Sequence, residues 1–173
     1  MLQQIKMKPV LALVILAAMI SAAVAQAPQI VLRSVDGRNF SLADNRGKVV
    51  VLSFGATWVP LAAKELPALQ KLADRYAGRD VNFYWVTTNS AKAGAKNYAS
   101  DADLQAFARQ HGWRLTVLRD PDQAAYHAFG LDALPTVVVI DREGKVNRKH
   151  VGFDPEQGEA YAEVIRSLDQ LLK

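Results

Sequence analysis

Few residues in this chain could carry chemistry. There is no cysteine, which removes disulfides, thiolate metal sites and every mechanism that needs a thiolate. It also removes lipid attachment through an N-terminal cysteine. The three histidines, His111, His127 and His150, are scattered instead of paired at ligand spacing, so no metal is expected. Lys145, Arg148, Lys149 and His150 form a small basic cluster that reads as a solvated strand face. No Gly-rich phosphate loop or Gly-x-Ser-x-Gly elbow is present, and no cofactor is implied. What remains is the stretch from Ala56 to Pro67, which holds Trp58, Pro60, Leu61 and Glu65. The apolar run Val49 to Phe54 precedes it, and Leu66, Leu69, Leu72, Ala73 and Tyr76 follow at helical spacing. It is therefore a strand-to-helix turn, with Pro60 suited to the first helical position. Such a turn aims backbone N–H groups and a positive dipole end at whatever sits there. Glu65 is either a buried carboxylate with a raised pKa or a helix-stabilising acid near that dipole end. The second reading is preferred.

The elements that position this turn fit one domain. The chain has 173 residues, half of them hydrophobic, enough for one adequate core. Residues 1–25 read as a targeting segment. Lys6 and Lys8 form a basic start, Val10 to Ile20 an apolar run, and Ala23-Val24-Ala25 a small-residue cleavage site. The expected mature domain is 26–173, starting at Gln26, in the periplasm or secreted. The competing reading is an uncleaved membrane anchor, for which Val10 to Ala25 is short. Losing two lysines with that segment lowers the formal charge from +4 to +2. No basic run interleaved with aromatics exists, so no nucleic-acid partner is expected.

Taken in order, Ile30 to Ser34 alternates like a strand, Val35-Asp36-Gly37-Arg38 turns, and Asn39 to Leu42 returns as a hairpin. Val49 to Phe54 is the first core strand. A helix follows from Pro60 to Tyr76, with Pro67 inside it and Gly78 at its end. Val81 to Thr88 is rich in β-formers. Asn89 to Ala99 reads as a loop holding at most one helical turn. Ser100 caps a helix whose apolar positions are Leu104, Phe107, Ala108 and His111. Leu115 to Leu118 is a short strand, Ala124 to Phe129 a short helix, and Thr136 to Ile140 a strand buried on both faces. Val146 to Val151 returns antiparallel. Asp154-Pro155-x-Gln157 reads as a capping box opening a last helix, with a stripe at Tyr161, Val164, Ile165, Leu168, Leu171 and Leu172. The order predicts an α/β sandwich: a central mixed sheet flanked by helices. Trp85 and Trp113 read as core.

Two segments carry a resemblance. Ala56-Thr57-Trp58-Val59-Pro60-Leu61-Ala62, then Glu65-Leu66-Pro67, resembles the active-site segment of the TlpA/ResA-like thioredoxins, a redoxin family. Trp58, Pro60, Glu65 and Pro67 keep the family's spacing, while Val59 and Ala62 stand at its two cysteine positions. Asp120-Pro121-Asp122, Ala128-Phe129-Gly130, Leu134-Pro135-Thr136 and Ile140-Asp141-x-Glu143-Gly144-Lys145 resemble the family's C-terminal half. The resemblance implies a thioredoxin fold over about Ile30 to Lys173, with the N-terminal β-hairpin of that family. It also implies a cis-proline position at Pro135, facing the turn, with Trp58 on the substrate-facing surface. Pro60 to Leu66 is also similar to the peroxiredoxin Pro-x-Cys-Thr-x-Glu segment, with Ala62 in place of its cysteine. The C-terminal match favours the first resemblance.

A Cys-x-x-Cys pair works because the helix start lowers one thiol's pKa and the second thiol resolves the mixed disulfide. Val59 and Ala62 can do neither. Either the site is reused for binding, or it has decayed and another surface matters. The expectation is a non-catalytic module that binds a protein or extended peptide of the cell envelope. Its groove lies between Trp58, Pro60, Leu61 and Glu65 on one side and Leu134 and Pro135 on the other. The family label would instead say thiol–disulfide oxidoreductase, with an antioxidant or redox-homeostasis role, and a third class is a structural subunit of an envelope complex.

Overall fold

The computed structural model describes residues 26–173, so the targeting segment expected over residues 1–25 lies outside the described residues. A hairpin comes first, β1 (Val31–Ser34) and β2 (Asn39–Ser41), turning at Gly37 with φ of 87°. A 3-10 turn over Ala43–Asn45 leads to β3 (Val49–Gly55), α1 (Ala62–Arg75) and β4 (Val81–Thr87). Then follow α2 (Asp101–Gln110), β5 (Val117–Arg119), α3 (Ala124–Ala128), β6 (Thr136–Ile140), β7 (Val146–Val151) and α4 (Ala162–Leu171).

The seven strands form one sheet in the order β2-β1-β5-β4-β3-β6-β7. β4 lies parallel to both β3 and β5, whereas β6 runs antiparallel to β3 and β7, and β1 antiparallel to β5. Strand alternation splits the core in two. Val49 and Val51 of β3 face one side with Val137, Val139, Trp85, Leu66 and Leu69 of α1, and Val164 and Leu168 of α4. Val50, Leu52 and Phe54 face the other with Val138, Ile140, Leu118, Phe129 and the hairpin's Leu32 and Phe40. Both faces of β3 and β6 are therefore dry, which is why both strands are continuous apolar runs.

Element types follow the sequence, and some boundaries shift. Ser100 caps α2 through a reciprocal box: its Oγ accepts from Asp103 N–H at 3.1 Å, and Asp103 Oδ2 accepts from Ser100 N–H at 2.9 Å. α1 starts at Ala62, not at Pro60, because the two residues before it are held in tight turns of i→i+3 type. The strand expected from Leu115 starts at Val117, and Leu115 is exposed. Asp154 does not open the last helix. Its Oδ1 accepts from Glu156 N–H at 2.9 Å in a turn, and the chain passes Gly158 before α4 starts at Ala162, where the apolar stripe begins. The 89–99 segment contains no helix. It is closed by a bridge between Ser90 and Tyr98 and a turn from Lys92 to Ala95.

Candidate functional site

β3, β4 and β6, three inner strands, meet at one end of the sheet. Gly55 pairs with Thr87 at the end of β4, and Phe54 with Thr136 at the start of β6. The turn after β3 is thus flanked on one side by the 89–99 loop and on the other by the Leu134–Pro135 segment. Gly55 is required there. A Cβ on it would lie 2.7 Å from Trp85 Nε1, closer than packed atoms allow.

The turn is built from nested tight hydrogen bonds. Val59 N–H donates to Ala56 O at 3.1 Å, Ala62 N–H to Val59 O at 3.0 Å, and Glu65 N–H to Leu61 O at 2.8 Å. Val59 is only 8% exposed and Ala62 is fully buried. They pack with Ala56 into a small apolar cluster against Leu61, Phe107 and Leu134. The two positions that carry sulfur in the resembled family therefore carry a hydrophobic contact here, and neither side chain can accept or donate a proton or electrons. Trp58 is outside this cluster and is 54% exposed. Pro60 is exposed and Leu61 half-buried.

Opposite, the Leu134–Pro135 peptide is cis. Pro135 O accepts from Gly152 N–H at 2.8 Å, and Ala133 O from Thr136 Oγ1 at 2.8 Å. The N–H and C=O of the half-buried Leu134 have no hydrogen-bond partner among the described residues. Leu134 packs on Val59 and Ala62, so these groups lie at the same end of the sheet as Trp58.

Glu65 departs from the preferred sequence reading. It is fully buried and does not act as a surface helix stabiliser. Its Oε1 accepts from Ser53 Oγ at 2.8 Å and from Tyr161 OH at 3.2 Å, while Oε2 has no partner. Burial pushes its pKa up to about 7, against the two hydrogen bonds that favour the charged form. It lies beneath the turn, out of reach of any ligand above Trp58, so it supports the site without lining it.

Asn89, which the sequence did not single out, is the residue that fixes the turn. Its Oδ1 accepts from Thr57 N–H at 2.9 Å and Thr87 Oγ1 at 2.8 Å. Its Nδ2 donates to Thr57 Oγ1 at 2.8 Å and Asn97 O at 3.1 Å. One buried amide thus joins β4, the turn and the 89–99 loop. No local pattern signals this, because its partners lie up to 32 residues away.

The remaining candidates are not brought together. His111 packs on Phe107 in α2, His127 on Tyr126 in α3, and His150 on Tyr161 from β7. Among the described residues no group of three or more His, Asp or Glu is placed to hold a metal. In the basic cluster Arg148 reaches Glu163 at 3.5 Å and Lys149 donates to Phe129 O.

Comparison with known proteins agrees with this fold and turn. Residues 24–149 match the AhpC/TSA family. The thiol–disulfide oxidoreductase ResA of Bacillus thuringiensis (strain Al Hakam) is 30% identical over 141 residues, covering 81% of this chain and 76% of that protein. The thioredoxin-like protein YneN of Bacillus subtilis (strain 168) is 31% identical over 131 residues, covering 73% and 70%. Among solved structures, the exposed lipoprotein thioredoxin Etrx1 of Streptococcus pneumoniae strain TIGR4 superposes with a TM-score of 0.65 at 30% identity, covering 83% of this chain and 100% of that one. A thioredoxin fold with an N-terminal hairpin in its sheet, similarity to ResA, and a match across most of the sequence make this chain a member of the AhpC/TSA family, one whose turn between β3 and α1 has no cysteine.

Proposed function

We propose that this protein is an exported, non-catalytic binding module that holds an extended polypeptide in the groove between Trp58–Ala62 and Leu134–Pro135. The observation that carries the reading is the exposed Trp58 at the same end of the sheet as the N–H and C=O of Leu134, which have no partner among the described residues. An extended chain can add to such backbone groups as a strand, while an aromatic platform contributes apolar area beside them. The Val59–Ala62 cluster supports it, because those side chains make a closed apolar floor with no reactive group. Thiol–disulfide exchange, the activity in the ResA name, needs two sulfurs that this chain lacks. The basic start, apolar run and Ala23-Val24-Ala25 support export with Gln26 as the mature N-terminus.

The test is site-specific photo-crosslinking in the envelope of the source cell, with the reactive group at position 61. The reading expects an adduct whose crosslinked residues lie in an extended segment, lost in Trp58→Ala. Adducts that survive that change, or that form on a folded partner at fixed stoichiometry, contradict it and favour a structural subunit. N-terminal sequencing of the exported protein is expected to begin at Gln26; retention of Met1 contradicts cleavage.

A further inference from the structure

The 89–99 loop flanks the turn on the side away from Leu134–Pro135, and the charged residues within it, Lys92 and Lys96, are both basic. Asn89 bonds it to Thr57 in the turn. Arg119, itself buried, donates from Nη2 to Ala99 O at 2.8 Å and to Ser90 O at 3.3 Å, so both ends of the loop are pinned. Asp101 Oδ1 accepts from Arg119 Nη1 at 2.6 Å, which compensates the buried charge. The loop is therefore a built wall. It presents Tyr98, 41% exposed, next to the Asn97 carbonyl that Asn89 ties to the turn bearing Trp58.

The segments that carry these two aromatics also carry three exposed lysines: Lys64 in the first turn of α1, and Lys92 and Lys96 in the loop. Neither segment, 56–67 or 89–99, has an exposed acid, since Glu65 is buried and is the one acid in them. The acids that follow are engaged: Asp101 pairs with Arg33 and Arg119, and Asp103 is held in the cap of α2. On the other flank of the turn, Asp132 is exposed just before Leu134. The surface around the turn thus carries lysines in α1 and in the loop after β4, and an acid before β6.

We infer that the polypeptide bound here is acidic: an apolar residue sits against Trp58 and Tyr98, and a run of Asp or Glu beside it lies over Lys64, Lys92 and Lys96. This rests on the binding reading above and gives it a partner class. Complementary charge of this kind sets orientation and rejects like-charged partners. The acidic run is placed on the β4 side, away from Asp132.

Three fluorescein-labelled peptides test it, sharing one apolar centre flanked by glutamates, serines or lysines, with binding read as fluorescence anisotropy. The glutamate peptide is expected to bind about tenfold tighter than the lysine peptide, with the difference shrinking as ionic strength rises from about 0.05 to 0.3 M. Reversing the three wall lysines (Lys64→Glu, Lys92→Glu, Lys96→Glu) is expected to invert the order. Reversing the exposed Lys48, Lys71 and Lys173, which lie outside both segments and change net charge equally, is expected to leave it. The salt dependence of the wild type gives a readout even if the wall variant does not fold. Binding that needs Trp58 but is equal for all three peptides overturns the acidic partner and leaves the groove reading standing. No binding by any peptide overturns both.

Discussion

Glu65 gives a prediction whose size can be worked from the structure. Its carboxyl is fully buried, with two donors on Oε1 and none on Oε2. Its pKa is about 7 in the folded chain, against an ordinary value of 4.5. Between those two values the folded state keeps a proton that the unfolded state gives up. Stability therefore falls as pH rises from about 4.5 to 7 and levels off above that. At about 1.4 kcal/mol per pKa unit, the loss across this window is about 3 kcal/mol. Glu65→Gln removes the ionisation and keeps an oxygen for Ser53 and Tyr161, with an amide where Oε2 was already unpartnered. The variant is expected to match wild type near pH 4.5 and to exceed it by up to about 3 kcal/mol near pH 8. Urea unfolding of both proteins across that range reads this directly, and the difference cancels other titrating groups. Parallel pH profiles for the two proteins would refute the argument, since they would mean that Glu65 is charged and solvated in the folded state. A variant less stable than wild type at pH 8 would also refute it, by showing that the carboxylate is compensated there.

Further outcomes follow from the turn. Asn89→Ala removes four hydrogen bonds around one buried amide and leaves Thr57 N–H unpartnered; it is expected to cost about 2 kcal/mol and to speed amide exchange at Thr57. An unchanged urea midpoint would count against its role as the clamp. Trp58→Ala removes a half-exposed ring with little effect on stability, and is expected to weaken peptide binding by about 1–2 kcal/mol or more; an unchanged Kd in a fluorescence titration would move the interface elsewhere. Val59→Cys with Ala62→Cys swaps side chains of similar size at the start of α1, so packing should change little. That double variant is expected to form an internal disulfide and, with dithiothreitol, to reduce insulin above background, while wild type does not. A restored pair that stays reduced under oxidant in folded protein would show that the turn itself has been reshaped.

The sheet was legible because its central strands need both faces dry, so β3 and β6 are uninterrupted apolar runs. Asp36-Gly37 marked the hairpin, and Ser100 with Asp103 marked the start of α2. Val59 and Ala62 were legible as a turn without sulfur. What they do instead depends on Phe107 and Leu134, which are distant in sequence. The burial of Glu65 had a local signal that was outweighed: it stands at i, i+4 and i+7 with Leu69 and Leu72, on the apolar face of α1. Asn89 had no such signal, because a polar residue in a polar loop looks the same whether it clamps three segments or faces water. The starts of α1 and α4 were misplaced for a shared reason. Pro60 and Pro155 suit a first helical turn, yet both lie in tight turns that precede the helix.

The central claim is that the former redox edge is now a polypeptide-binding surface. Two-dimensional amide NMR of the wild-type protein titrated with the glutamate-flanked peptide tests it most directly. The largest shifts are expected at Thr57 to Leu61, at Lys92 to Tyr98 and at Leu134, whose N–H, without a partner among the described residues, becomes protected from exchange on binding. Shifts confined to another face, such as the groove between α1 and residues 153–161, with Leu134 unprotected, would contradict it.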